Sequence, residues 1–187
     1  MSDQPINENP TVLSANDLPQ REGAANFTKN ILLDIVSAPL DIPLYDSDIS
    51  SISESDEEEP IDEQEIFDLI STISDPEHPL SLGQLAVVNL PDITVKHPTS
   101  TEYGLVHVII TPTITHCSLA TLIGLGIRIR LERSLPPSYR IDITVKPGSH
   151  QSQNQVNRQL NDKERVAAAC ENDQLMGVVT QMLSTCT

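Results

Sequence analysis

Apolar residues after Pro60 follow helical spacing in some stretches and strand spacing in others. The first helical stripe, spaced i, i+3, i+4 and i+7, consists of Ile66, Leu69, Ile70 and Ile73. This spacing predicts an amphipathic helix. Asp62 and Glu65 fit the two positions of a capping box at its start. We expect the helix to end at Asp75–Pro76, because the residue before a proline avoids helical geometry.

Three stretches rich in β-branched residues predict strands. They read LAVVNLPDITVK, YGLVHVIITP and YRIDITVKPG. Helical spacing returns between the second and the third, in Leu119, Leu122, Ile123 and Ile127. We predict that this helix is capped by Ser118 or Thr115 and continues through Ser134.

A loop rich in glutamine and asparagine leads to the last predicted helix. Asn161 and Glu164 fit a capping box at its start, and a break near Asn172–Asp173 separates two apolar faces. The predicted element order is therefore α-β-β-α-β-α. It corresponds to an α+β fold in which a small mixed or antiparallel sheet is packed with helices.

The charge is distributed unevenly along the 187 residues. Met1 to Leu80 holds 19 acidic and two basic residues, a net −17, and Ser81 to Thr187 holds eight acidic and nine basic residues, a net +1. Together they give the overall −16. Segments with high net charge and few large apolar residues do not bury enough surface to fold. We therefore predict a disordered acidic leader over residues 1–60 and a folded domain over residues 61–187.

The composition also excludes several classes of function. A strongly acidic chain repels phosphates, which argues against direct nucleic-acid binding. The sequence has no secretion signal and no apolar run of membrane-spanning length, so we expect a soluble, intracellular protein without a membrane partner. It also lacks the GxSxG, HExxH, P-loop and dinucleotide-binding patterns of common enzyme sites.

The stretch TPTITHCSLATLIGLGIRIR places His116–Cys117 at the junction between a strand and a helix. Backbone N–H groups and the helix dipole favour a thiolate at a helix start, which lowers the pKa of a cysteine. Cysteine is also a common core residue, so Cys117 is either a reactive thiol or an apolar filler. We expect Cys170 to be buried and Cys186 to be exposed. With no CxxC pair, free thiols are expected.

The segment DPEHP places Asp75, Glu77 and His78 beside two prolines. One interpretation is a helix stop with solvated charges. The other is that a carboxylate or imidazole from this turn approaches Cys117 and forms a mixed metal site with it. The sequence pattern leaves both open.

Three long motifs carry a family resemblance. They read SDPEHPLSLGQLAVVNL, TPTITHCSLATLIGLGIRIRLERSLPP and NQVNRQLNDKERVAAACEN. They resemble the eukaryotic subunit family of the cytosolic iron–sulfur protein assembly (CIA) targeting complex, whose domain is shared with bacterial SufT and PaaD proteins. The resemblance covers about residues 61–183.

The resemblance implies a function as well as a fold. Members are small dimerising domains that act with a WD-repeat propeller subunit and a HEAT-repeat scaffold subunit to deliver clusters to iron–sulfur apoprotein clients. It implies a cytoplasmic location, with the nucleus as a second one. It also implies that no cofactor is permanently bound, although an iron–sulfur cluster or a metal can bind transiently.

The resemblance also assigns roles to residues. The family's reactive cysteine falls on Cys117, beside His116, and its acid–proline–acid turn falls on Asp75, Pro76 and Glu77, next to His78. One cysteine per chain cannot hold a four-iron cluster, so a dimer or a client would have to supply further ligands.

Three functions follow from these residues. The favoured one is a non-enzymatic adaptor that bridges partners and clients, with Cys117 assisting transfer. The second is a thiol enzyme that performs persulfide or redox chemistry at Cys117 and therefore shows turnover. The third is a purely structural scaffold in which Cys117 is buried. The rate at which Cys117 is alkylated in the native protein would separate the scaffold from the other two.

Overall fold

A computed structural model describes residues 12–21, 60–112, 117–149 and 152–186. Its helices and strands follow the order α-β-β-α-β-α-α-α. In chain order they are α1 (Glu63–Ser71), β1 (Ile93–Lys96), β2 (Gly104–Ile110), α2 (Cys117–Ser134), β3 (Tyr139–Val145), α3 (Gln153–Asn161), α4 (Lys163–Cys170) and α5 (Asp173–Leu183). A short 3-10 helix, Leu90–Asp92, precedes β1.

The three described strands form one mixed sheet in the order β1-β2-β3. β1 runs antiparallel to β2, and β2 runs parallel to β3. Helix α2 makes the crossover that a parallel pair requires. The predicted fold class, an α+β fold with a small mixed sheet packed against helices, is confirmed.

One face of the sheet supplies the core. Every second residue of β2 is buried, including Val106, Val108 and Ile110. These side chains belong to the same buried cluster as Ile66 of α1 and Ile123 of α2. The alternation follows from the period of two in a strand, which sends successive side chains to opposite faces.

Helix α1 begins as predicted and ends early. The Asp62 side chain accepts a hydrogen bond from the Glu65 N–H at 2.7 Å. The helix ends at Ser71 instead of Asp75–Pro76. The chain leaves helical geometry because Ser74 forms a bridge with Ser81 and donates its N–H to the Met182 carbonyl at 3.1 Å.

The first predicted strand is much shorter than expected. Only its end, β1, is a strand, and residues before it form turns and the 3-10 helix. Val87 and Val88 are nevertheless buried, and Ala86 has a φ of 52°. The β-branched run therefore reflects burial of a looped segment and not sheet pairing.

Helix α2 continues through Ser134, as predicted. It begins at Cys117, so Ser118 lies inside the helix and does not cap it. The prediction of a Ser118 cap was wrong, and Thr115 lies outside the described residues. None of the described helices combines the length and apolar character needed to cross a membrane.

The C-terminal part contains three described helices where one was predicted. The glutamine- and asparagine-rich stretch, expected to be a loop, forms α3 and buries Val156 and Leu160 against the core. The break before Asp173 is confirmed, because the Asn172 side chain caps α5 by accepting from two backbone N–H groups.

The predicted Asn161–Glu164 capping box is displaced by one residue. Asp162 caps α4 and accepts from the N–H groups of Glu164 and Arg165. Asn161 does not serve as the cap, because its side chain is engaged elsewhere. Its amide accepts from the Ile143 N–H at 3.2 Å and donates to the Ile143 carbonyl at 3.0 Å.

A short N-terminal segment, residues 12–19, belongs to the same compact unit as the described residues from Ile61 onward. Leu13 donates its N–H to the Gln84 carbonyl at 2.8 Å, and Leu18 packs against the core cluster. The Gln64 side chain donates to the Pro19 carbonyl at 3.0 Å. The described residues Gln20, Arg21 and Pro60 belong to a second unit. The division at residue 60 into a disordered leader and a domain stays a prediction.

Candidate functional site

The turn between α1 and the following loop is built around Asp75. Its Oδ1 accepts hydrogen bonds from the N–H groups of Glu77 at 2.8 Å and His78 at 2.9 Å. Its own N–H donates to the Leu80 carbonyl at 2.9 Å. This is the local pattern by which aspartate fixes a tight turn. The three residues singled out in DPEHP are therefore held together by one carboxylate.

Asp75 is buried, which distinguishes it from its neighbours. Only 6% of the residue is exposed, whereas Glu77 is exposed and His78 is half-buried. Its second oxygen, Oδ2, is buried and has no hydrogen-bond partner among the described residues. Burying a carboxylate oxygen without a partner is unfavourable. A helix stop with solvated charges therefore describes Glu77 but does not describe Asp75.

Helix α5 holds this turn from the other side. The Met182 carbonyl accepts from both the N–H and the hydroxyl of Ser74, at 3.1 and 3.0 Å. The Thr185 hydroxyl donates to the Thr72 carbonyl at 2.8 Å. Sequence analysis missed these contacts, because they join residues more than 100 positions apart. The turn is thus fixed to the C-terminal end of the chain.

Cys117 is the first residue of α2, an 18-residue helix. The backbone therefore places it at a helix start, where unpaired N–H groups and the helix dipole favour negative charge. The side chain of Cys117 and the whole of His116 lie outside the described residues. A mixed metal site that joins Cys117 to the Asp75 turn stays a prediction. Among the described residues there is no group of three or more potential metal ligands.

The other two cysteines differ from expectation. Cys170, predicted to be buried, is exposed at the end of α4, where Val166 carries the buried face. Cys186, predicted to be exposed, is half-buried and packs against the core cluster. Its sulfur accepts a hydrogen bond from the Thr72 hydroxyl at 3.6 Å. Both predictions were wrong. Cys170 is exposed because α4 buries only Val166. Cys186 is half-buried because the residues after α5 contact Thr72, which follows α1.

Comparisons with known proteins identify the family. Residues 63–145 match the family described as iron–sulfur cluster assembly protein. This range contains both the Asp75 turn and Cys117. A MIP18 family protein of Saccharomyces cerevisiae is 51% identical, covering 97% of this chain and 98% of that protein.

The chain belongs to the MIP18 family. Two further relatives support the assignment. A MIP18 family protein of Schizosaccharomyces pombe is 51% identical over 96% of both chains. A Mus musculus protein named cytosolic iron-sulfur assembly component 2B is 56% identical, covering 70% of this chain and 79% of that protein. The resemblance found in the three sequence motifs is thereby confirmed at the level of the MIP18 family.

Proposed function

We propose that this MIP18 family chain acts in cytosolic iron–sulfur protein assembly as a non-enzymatic adaptor. The observation that carries the proposal is its similarity to cytosolic iron-sulfur assembly component 2B over 79% of that protein. In this role it bridges a WD-repeat propeller subunit, a HEAT-repeat scaffold subunit and iron–sulfur apoprotein clients. It works as a homodimer in the cytoplasm and the nucleus.

Cys117 assists transfer of the cluster, which is cargo in this proposal and not a resident cofactor. Its place at the first position of α2 supports this role, because a helix start raises the thiolate fraction of a cysteine. A thiolate is a suitable soft ligand for iron. Two copies of Cys117 in a dimer, together with client cysteines, would complete the ligand set and still allow release.

Affinity capture of the full chain tests the adaptor role. Mass spectrometry should identify a propeller subunit, a helical-repeat scaffold and iron–sulfur apoproteins in stoichiometric amounts. Recovery of the chain alone, under conditions in which tagged partners are expressed, would refute bridging. Catalytic turnover of a persulfide or disulfide substrate would instead favour the thiol enzyme.

Anaerobic reconstitution with iron and sulfide tests Cys117. We expect Cys117→Ala to lose cluster absorbance and to slow maturation of a client apoprotein. Cys170→Ala is the matched control, because Cys170 is an exposed thiol of the same chain and should leave both signals unchanged. Equal absorbance and client maturation in both variants would remove Cys117 from the mechanism while leaving the bridging role intact.

A further inference from the structure

Basic residues are concentrated on one part of the described domain. Five of the nine basic residues after Leu80 line two cavities that share Asn161. They are Arg128, Arg140 and Lys163 in one cavity, and Arg158 and Arg165 in the other. The acidic lining residues are Glu132 and Asp162, so the lining carries a net +3. This basic surface stands out in a chain whose overall charge is −16.

Arg128 forms the floor of the first cavity. It is only 5% exposed, and its guanidinium is fixed by three hydrogen bonds. Nε donates to Glu132 at 2.9 Å, and Nη1 donates to the carbonyls of Leu160 at 2.9 Å and Ile141 at 3.4 Å. A guanidinium has five N–H groups. The two on Nη2 have no hydrogen-bond partner among the described residues, and Arg128 also lines the cavity.

Arg140 and Lys163 stand at the exposed rim of the same cavity. The guanidinium carbon of Arg140 lies 4.7 Å from the ring centroid of Tyr103. Tyr103 itself is 63% exposed. A cation–π contact of this kind restricts the arginine without neutralising it. Exposed tyrosine and arginine are also residue types enriched at protein interfaces.

We propose that this cavity, of about 380 Å³, binds an acidic peptide segment of a partner protein. Side-chain carboxylates of the peptide pair with Arg140 and Lys163 at the rim and reach Arg128 at the floor. Arginine suits this task because its planar fork matches a carboxylate. Tyr103 and Pro137 provide an apolar wall for a neighbouring side chain. A longer segment continues past Asn161 to Arg158.

A peptide fits the charge distribution better than a nucleic acid does. Electrostatic interactions are screened over about 8 Å at physiological ionic strength. A peptide of a few residues therefore responds to the basic surface alone. A polyphosphate chain carries its charge beyond the length of this surface and is repelled by a protein whose net charge is −16. This inference rests on the described contacts and does not depend on the proposed function.

The first test is direct binding to the full-length protein. The probe is a fluorescein-labelled peptide with an acetyl-Gly-Glu-Leu-Glu-Glu-Gly-amide core, followed by fluorescence anisotropy at low and high salt. We expect saturable binding that weakens with salt and is absent for the version with Gln in place of every Glu. Equal binding of the Gln peptide would overturn the proposal. So would a duplex DNA oligonucleotide that binds more tightly and displaces the acidic peptide.

Substitutions at the rim locate the site. Arg140→Gln and Lys163→Gln should each weaken binding about threefold, and the double variant about tenfold, as expected for exposed ion pairs that add independently. Arg133→Gln is the matched control, because it removes the same charge from an exposed residue that lines neither cavity. It should leave affinity within a factor of about 1.5. Equal weakening by the control would mean that only net charge matters, which would overturn the assigned site.

Discussion

Among the described residues, side chains close both edges of the sheet, but to different extents. At the β3 edge, Asn157 and Asn161 of α3 supply three hydrogen bonds to the backbone of Ile143 and Val145. At the β1 edge, Glu63 of α1 accepts one, from the Val95 N–H at 3.2 Å. Both helices present side chains where a further strand would otherwise pair.

The difference reflects burial. The three bonds at β3 are partly buried, whereas the bond from Val95 to Glu63 is exposed. An exposed N–H is satisfied by water when its partner is lost, but a buried one is left unpaired. Closing the β3 edge should therefore stabilise the domain, and closing the β1 edge should contribute little. Four substitutions test this difference, measured as the free energy of urea unfolding by circular dichroism.

Asn161→Ala should have the largest effect. It leaves both the N–H and the carbonyl of Ile143 without partners, and we expect a loss of about 3 kcal/mol. Asn154→Ala, an exposed asparagine of the same helix, is the control and should cost less than about 0.5 kcal/mol. Equal losses would mean that the effect does not come from the hydrogen bonds at the edge.

Gly124→Ala should cause the second-largest loss in the free energy of unfolding. An added Cβ would clash with the Leu160 side chain, which is buried and has little room to move. Because Leu160 precedes Asn161, displacing it also disturbs the β3 edge, and we expect a loss of about 2 kcal/mol. Gly177→Ala, where nothing lies near the added atom, should instead raise stability by about 0.5 kcal/mol. A neutral Gly124→Ala would show that α3 is not held tightly.

Asn157→Ala removes a single bond, from the Val145 N–H, and should cost about 1 kcal/mol. Aspartate at this position keeps an acceptor, so Asn157→Asp should recover most of the loss. Asn161→Asp should not recover stability in the same way, because the Ile143 carbonyl needs a donor. Similar recovery at both positions would contradict the assigned donor and acceptor roles.

Glu63→Ala should have the smallest effect, below about 0.5 kcal/mol, because water replaces the exposed bond to Val95. Glu63→Gln retains an acceptor and should be neutral. A loss at Glu63 as large as that at Asn161 would remove the distinction between the two edges.

Sequence reasoning succeeded where one local pattern decides the structure. The spacing of Ile66 and Ile70 predicts α1, and the alternation in β2 predicts a strand with one buried face. It failed at α3, because a helix with only Val156 and Leu160 buried has too narrow an apolar stripe to stand out from a polar loop. Contacts with the sheet determine that this segment is a helix.

The displaced helix cap has a similar cause. Asn161 and Asp162 are adjacent and both are good cap residues. The position of β3 decides between them. The Asn161 side chain hydrogen-bonds to the backbone of Ile143, so Asp162 becomes the cap. At the candidate site, the sequence indicated the Asp75 turn, but the burial of Asp75 depends on distant chain segments that no local pattern reports.

Residues 12–19 pack against the domain, so removing them would change the properties of a shortened protein. A fragment that starts at Ile61 lacks Leu18, and the surface beside Gly83 that this leucine covers would be opened to solvent. Its melting temperature would then understate that of the full-length chain. Such a fragment would also present a newly uncovered apolar surface, so molecules captured by it would require verification with the intact polypeptide.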